Sequence, residues 1–192
     1  YVLGLPLGIL LAVTDKEGIH PNAVVYKVLD VLTNIFRSIP FLILLILVLP
    51  LTKLIVGQSY GSSATIVPLV IAAAPFIARM VESSLQEVDE GVIEAAKSMG
   101  AGTWTIIFRV LLVEARTSLI VGVTIALGTI LGYSAMAGVV GGGGLGDIAI
   151  RYGYYRYQTD IMVVTIVILV LIVQVLQALG MMLSKKLDRR NK

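Results

Sequence analysis

The chain has 192 residues, 57% of them hydrophobic and only 14% charged, with a net charge of +3 and a mean hydropathy of +0.94. Such a composition excludes an ordinary soluble domain and indicates a single membrane domain over residues 1–192 with several spans of about 20 apolar residues each. Cysteine is absent, which excludes disulfides and thiolate metal sites, and no aromatic-and-basic patch suits nucleic acid.

In chain order, Tyr1 to Val13 is apolar but too short to cross a bilayer. No initiator Met precedes it, so it reads as the remaining half of a span whose start is missing. A signal peptide is the competing reading, but no basic leader region or small-residue cleavage site is visible. His20, the one histidine, lies beside Pro21 in a polar stretch and reads as a solvated loop residue rather than a ligand. Ser38 to Leu51 is a second span, continuing to Val56 past Lys53, whose ammonium can snorkel to an interface. Ala64 to Ala78 is a third. It ends at Arg79 and Glu82, which share a helix face at i, i+3 and are placed to pair. Leu119 to Val140 and Ile161 to Leu183, both free of charge, complete a predicted set of five. Pro40, Pro50, Pro68 and Pro75 predict kinks, while Gly4 and Gly8 (extended by Ala12) and Gly128 and Gly132 predict close helix packing.

Lys and Arg sort unevenly between the two sides of this topology. Twelve (Lys16, Lys27, Arg37, Arg79, Lys97, Arg109, Arg116, Lys185, Lys186, Arg189, Arg190 and Lys192) fall on one side, and only Lys53, Arg151 and Arg156 on the other. The positive-inside rule then puts the Glu94 region and the C-terminus in the cytoplasm and the Gly-rich stretch outside. The basic tail would sit against the anionic inner leaflet, which accounts for the net charge without nucleic acid.

Between the third and fourth spans lies a polar island, Glu94-Ala95-Ala96-Lys97-Ser98-Met99-Gly100, within a loop over about residues 86–104. Val88, Val92, Ala95 or Ala96, and Met99 recur at helical steps, predicting one apolar face with Glu90, Glu94 and Lys97 turned elsewhere. Gly100 and Gly102 end the helix. A lipid-lying interfacial helix is the plainer alternative, but such helices carry Lys or Arg and bulky apolar groups. This one is acidic (Glu87, Asp89, Glu90, Glu94) with a small face at Ala95 and Ala96, which suits a protein groove.

An outer loop over about residues 141–160 follows the fourth span. Gly141, Gly143 and Gly146 match G-x-G-x-x-G spacing, but they follow a membrane helix rather than a strand, and no Gly-Lys-Ser/Thr ending is present, so no nucleotide site is read here. The stretch is either a flexible loop or, with Tyr152, Tyr154, Tyr155 and Tyr157 beside Arg151 and Arg156, a surface for a partner or the membrane interface. Late in the fourth span, Tyr133-Ser134-Ala135-Met136-Ala137-Gly138 places a pliable Met among small residues, either as an apolar gate or as a helix contact.

The island, with E-A-A and then Gly100, resembles the coupling loop of ATP-binding-cassette importer permeases. Val113 stands where that pattern usually has Pro. Asn34 to Phe41, Ala74 to Glu82, Gly132 to Met136 and Gly143 to Gly146 extend the resemblance to the methionine-importer branch. The resemblance implies an all-α membrane protein with the type I importer permease fold: five transmembrane helices, the first truncated, and a short cytoplasmic coupling helix. It implies a non-catalytic multi-pass subunit of the bacterial cytoplasmic membrane, working as a homodimer with two cytoplasmic ATPases and an external methionine-binding lipoprotein. ATP and Mg would be held by the ATPases, and no cofactor by this chain. Glu94, Ala95, Ala96, Met99 and Gly100 would contact the ATPase, and Met136, with Tyr133 and Ser134, would line the path or gate for L- or D-methionine. An importer of another amino acid or a metal chelate shares that architecture. An ion-coupled carrier or channel is the rival from another class, but the charges in the predicted spans lie at their edges, near Arg37, Lys53 and Arg79.

Overall fold

Every regular element in the computed structural model of the chain, which describes residues 1–187, is helical. In order they are α1 (Gly4–Thr14), α2 (Ala23–Ser38), α3 (Phe41–Leu47), α4 (Leu49–Val56), α5 (Ser62–Gln86) and α6 (Glu90–Ser98). A bent stretch follows: α7 (Thr103–Thr105), a π-helical turn (Ile106–Leu111) and α8 (Leu112–Glu114). Then come α9 (Arg116–Met136) with a 3-10 extension (Ala137–Val140), α10 (Gly144–Ile148), a second π-helical turn (Ala149–Tyr154) and α11 (Thr159–Leu187).

Three stretches, Ser62–Gln86, Arg116–Val140 and Thr159–Leu187, are long and apolar enough to cross a membrane. The α2–α3 pair bends by 102° and would count as a fourth span if taken as one, while α1 is apolar but short. The expected continuous span from Ser38 to Val56 is instead two short helices meeting at Val48. Its prolines explain the breaks. Pro40 precedes the first turn of α3, and Pro50 occupies the first turn of α4, where its missing N–H costs nothing. Pro68 and Pro75, by contrast, lie within α5, which continues through both.

The chain forms two units, the first gathering residues 1–36, 74–124 and the described chain from Gly180 onward. Its centre is the C-terminal half of α5, where Ile77, Ala78, Val81 and Leu85 are buried with Leu11 of α1. Gly4 and Gly8 make that contact possible. A Cβ on Gly8 would lie 2.5 Å from both the Ala78 carbonyl oxygen and Val81 Cβ, and one on Gly4 would lie 2.5 Å from Ile77 Cγ2. The predicted small-residue packing face is therefore α1 against α5.

α2 is amphipathic in the inverted sense. Val24, Val28, Val31, Leu32 and Ile35 are exposed, whereas Tyr26, Asp30 and Thr33 turn inward. Tyr26 and Asp30 meet two charges of α5. Arg79 Nη1 donates to Glu82 Oε2 at 2.7 Å, as its i, i+3 spacing predicts, while Nη2 pairs with Asp30 Oδ1 and donates to Asn34 Oδ1 at 3.1 Å. The Tyr26 hydroxyl donates to Glu82 Oε1 at 3.2 Å, and Glu82 is only 2% exposed. A carboxylate buried that deeply is tolerable only because it is paired and hydrogen-bonded.

Lower down the same helix, Ser84 shares a 3.0 Å hydrogen bond with Ser118 of α9. The end of α11 joins the same unit: the Ser184 hydroxyl donates to the Thr117 carbonyl at 3.4 Å, and Gly180 lies so close to Thr124 that a Cβ there would overlap it. Lys185 and Lys186 lie in the last turn of α11. Arg189, Arg190 and Lys192, the rest of the predicted basic tail, fall outside the described residues.

The second unit comprises residues 37–73 and 125–179. Phe41, Leu45 and Ala137 form its core, with Leu69, Ala72, Tyr133 and Val140 packed around them. Gly128 approaches Gln177 and Val173 of α11, whereas nothing lies within 4 Å of a Cβ placed on Gly132. Among the described residues, only the first glycine of the predicted G-x-x-x-G pair makes a helix contact.

The Arg79 network yields a stability prediction. R79M would strand the buried Glu82 charge and lower the stability of the purified protein by about 3–5 kcal/mol, and R79M combined with E82Q would recover part of that loss. Thermal denaturation in detergent checks both, and a single R79M variant melting with the wild type would contradict the pairing.

Candidate functional site

The polar island folds as α6, a helix closed at both ends. Asp89 caps it, its Oδ1 accepting from the Gly91 amide at 2.8 Å, and Glu90 in the first turn and Lys97 in the last oppose the helix dipole. At the other end the Gly100 amide donates to Lys97 O at 2.9 Å and the Ala101 amide to Ala96 O at 3.0 Å, a Schellman closure. Gly100 has φ +78°, and a Cβ there would meet nothing within 4 Å, so a side chain at this position costs backbone strain alone, about 1 kcal/mol.

The structure divides the predicted apolar face in two. Ala96, 5% exposed, and Val88 turn into the chain, where α6 lies against the π-helical turn and its buried Ile106, Ile107 and Leu111. Val92, Ala95 and Met99 point outward, Met99 at 82% exposure, and Glu94 is exposed as well. A helical step of one residue is about 100°, so the choice between Ala95 and Ala96 decides which side is free. Here it is Ala95.

Two further exposed residues follow. Trp104, 73% exposed, stacks on Phe108 with ring centroids 5.8 Å apart. Sequence reasoning passed over them, although a lone Trp just beyond Gly100 and Gly102, with Phe four residues on, is a visible signal for a surface aromatic pair.

In the second unit, Met136 is the last residue of α9 and half exposed, and Ser134 is exposed. Tyr133 is different: its ring stacks on Phe41 at 4.7 Å with the planes 7° apart, so it serves the core. The Gly-rich stretch beyond is no loose loop. Gly141, Gly143 and Gly144 take left-handed conformations, and a Cβ on Gly146 would overlap the Ala135 backbone, pressing α10 onto the end of α9. Past it, Asp147 pairs with Arg151 at 3.0 Å, Arg156 sits 4.7 Å over the Tyr152 ring, and Tyr154, Tyr155 and Tyr157 are exposed.

Comparison with known proteins assigns the family. Residues 4–192 match the family described as binding-protein-dependent transport system inner membrane component. The chain belongs to that family. A probable D-methionine transport system permease protein of Vibrio cholerae is 52% identical over 190 residues, 99% of this chain and 84% of that protein. The methionine import system permease protein of Bacillus subtilis is 47% identical over 181 residues, 94% and 82% of the two chains. An inward-facing crystal structure of the MetNI methionine ABC transporter superposes with a TM-score of 0.96 at 48% identity, covering 98% of this chain and 87% of that one. The chain thus has the all-α permease fold of type I importers and is an inner-membrane component of a transport system.

Proposed function

We propose that this permease is the membrane subunit of an ATP-driven methionine importer, with α6 as the helix that receives the motion of a separate cytoplasmic ATPase. The observation that carries this reading is the free face of α6. A capped helix holds small and flexible residues, Ala95 and Met99, outward beside exposed Glu94, while Ala96 fastens it to its own chain. Small residues admit close approach by a protein groove, and the acidic flank disfavours anionic lipid. The named relatives and the MetNI structure supply the substrate.

In this reading two copies of the chain enclose the path across a bacterial cytoplasmic membrane as five-span subunits, with α6 and the C-terminus inside. Two ATPases bind the ATP and Mg, and an external binding lipoprotein delivers L- or D-methionine. Closure of the ATPases displaces α6, and the spans rock to alternate access. Their binding energy for one arrangement over the other sets how far the equilibrium moves. Met136 closes the path: a half-exposed thioether at the end of a charge-free helix keeps water out and yields when the helices move. Ser134 lies on the open side with it, and Tyr133 fixes that end of α9 against Phe41.

A95W tests the docking face without disturbing the chain's own packing, as A96W would. Reconstituted with its ATPase, the A95W complex is expected to lose at least about tenfold in substrate-stimulated hydrolysis, the effect of more than about 1.4 kcal/mol at a buried interface position. Normal assembly with wild-type hydrolysis would contradict docking on this face.

M136A separates gating from packing. Because Met136 is half exposed, its truncation should cost well under the ~2–5 kcal/mol of a buried large-to-small change. It should nevertheless permit methionine flux without ATP in reconstituted vesicles. A marked fall in melting temperature with flux still strictly ATP-dependent would make Met136 a packing residue.

A further inference from the structure

The turn between α1 and α2, residues 15–22, reaches both ends of the segment that carries α6. At the entry, Gln86 Nε2 donates to Asp15 Oδ2 at 2.8 Å. At the exit, His20 Nε2 lies 2.5 Å from Thr103 Oγ1, a contact the hydroxyl can make with either imidazole tautomer. These anchors stand on either side of α6, 71 and 83 residues away in sequence from their partners.

The turn is itself rigidly built. The His20 amide donates to Val13 O at 3.0 Å and the Asn22 amide to Thr14 O at 2.9 Å, folding the turn back over the end of α1. Gly18 fits so closely there that a Cβ would lie 2.5 Å from the Ala12 and Val13 carbonyl oxygens. Asn22 Oδ1 then accepts from the Val25 amide at 3.1 Å, joining the turn to the first residues of α2. Between the turn and the body of α6 lies a cleft of about 640 Å3, bordered by Asp15, Glu17 and Ile19 on one side and Glu90, Ile93 and Glu94 on the other. The segment is gripped at its two ends, with open space alongside the helix.

We infer that residues 15–22 are a brace, in which Asp15 and His20 act as positioning residues that carry displacement of the α6 segment into α1 and α2. Without the brace, α6 is held by its packing on the π-helical turn, and its displacement passes into that turn rather than into α1 and α2. With it, entry and exit move with the ends of α1 and α2. Coupled groups with two discrete arrangements, rather than proximity alone, are what transmit such a shift.

The inference rests on the docking reading above, and the test separates the two. In proteoliposomes holding the permease with its ATPase, the readout is methionine imported per ATP hydrolysed. Combining D15A with H20A is expected to leave the complex assembled and hydrolysing ATP while this ratio falls at least about fivefold, a coupling loss within the usual allosteric range. D15A alone should lower the ratio in part. D15N combined with Q86E, which reverses donor and acceptor but keeps the hydrogen bond, should restore it to near the wild-type value. A wild-type ratio in the D15A H20A complex, with A95W uncoupled, would overturn the brace and leave docking intact. Failure of D15A H20A to assemble, with no restoration by the reversed pair, would make the turn a folding element and overturn the brace as well. If A95W too remained fully coupled, the docking reading would fail and the brace with it.

Discussion

The Arg79 guanidinium is the interaction on which the first unit depends. The chain presents much of its apolar surface outward, on α2 as well as on the long helices, so its charged groups must be satisfied against one another. Arg79 does this for Asp30, Asn34 and Glu82 together, and so binds α2 to α5 through its polar side. Such a network contributes little net stability over an apolar replacement, but it favours one register, because a slip of α2 would take Asp30 and Asn34 from Arg79 and the Tyr26 hydroxyl from the buried Glu82.

Below Arg79, the remainder of α5 acts as a spine. Glu82 takes Tyr26 of α2, Ser84 takes Ser118 of α9, and Gln86 takes Asp15 of the α1–α2 turn. Glu82, Ser84 and Gln86 thus tie three different elements to little more than one turn of α5, and the chain then enters α6. Motion imposed on α6 therefore meets a body whose parts are already joined by directional contacts. Packing by small residues, as at Gly4 and Gly8, brings α1 close enough to belong to the same body. Tight packing of this kind responds by moving as a unit rather than by deforming.

Much of this was legible in sequence, and the rest was not for identifiable reasons. The runs of α9 and α11 are charge-free over enough length to admit no other reading, α5 is charge-free as far as Arg79, and the Arg79–Glu82 pair follows from i, i+3 geometry. The ends of α6 were readable from Gly100, though the Asp89 cap was noted only as charge. Ala95 and Ala96 could not be told apart, since both are small and only the three-dimensional position of Ile106, Ile107 and Leu111 selects the inward one. α2 was missed because its apolar residues face outward and its polar ones inward, and a periodicity does not reveal which side is covered. His20 is an exposed turn residue, as its sequence surroundings indicated, but its contact with Thr103 was not legible because the partner is 83 residues away. The glycine stretch was open between a loose loop and a surface. Its close fit on Ala135 depends on a chain reversal that composition alone does not specify.

The central claim, that the outward face of α6 receives a cytoplasmic ATPase, is tested most directly by a single cysteine at Met99 in this cysteine-free chain. M99C is labelled with a membrane-impermeant thiol reagent in inside-out vesicles, with and without the ATPase bound, and in intact cells. The account predicts rapid labelling in vesicles stripped of the ATPase, protection when it is restored, and no labelling in intact cells. Equal labelling with and without the ATPase, or labelling from outside intact cells, would contradict it.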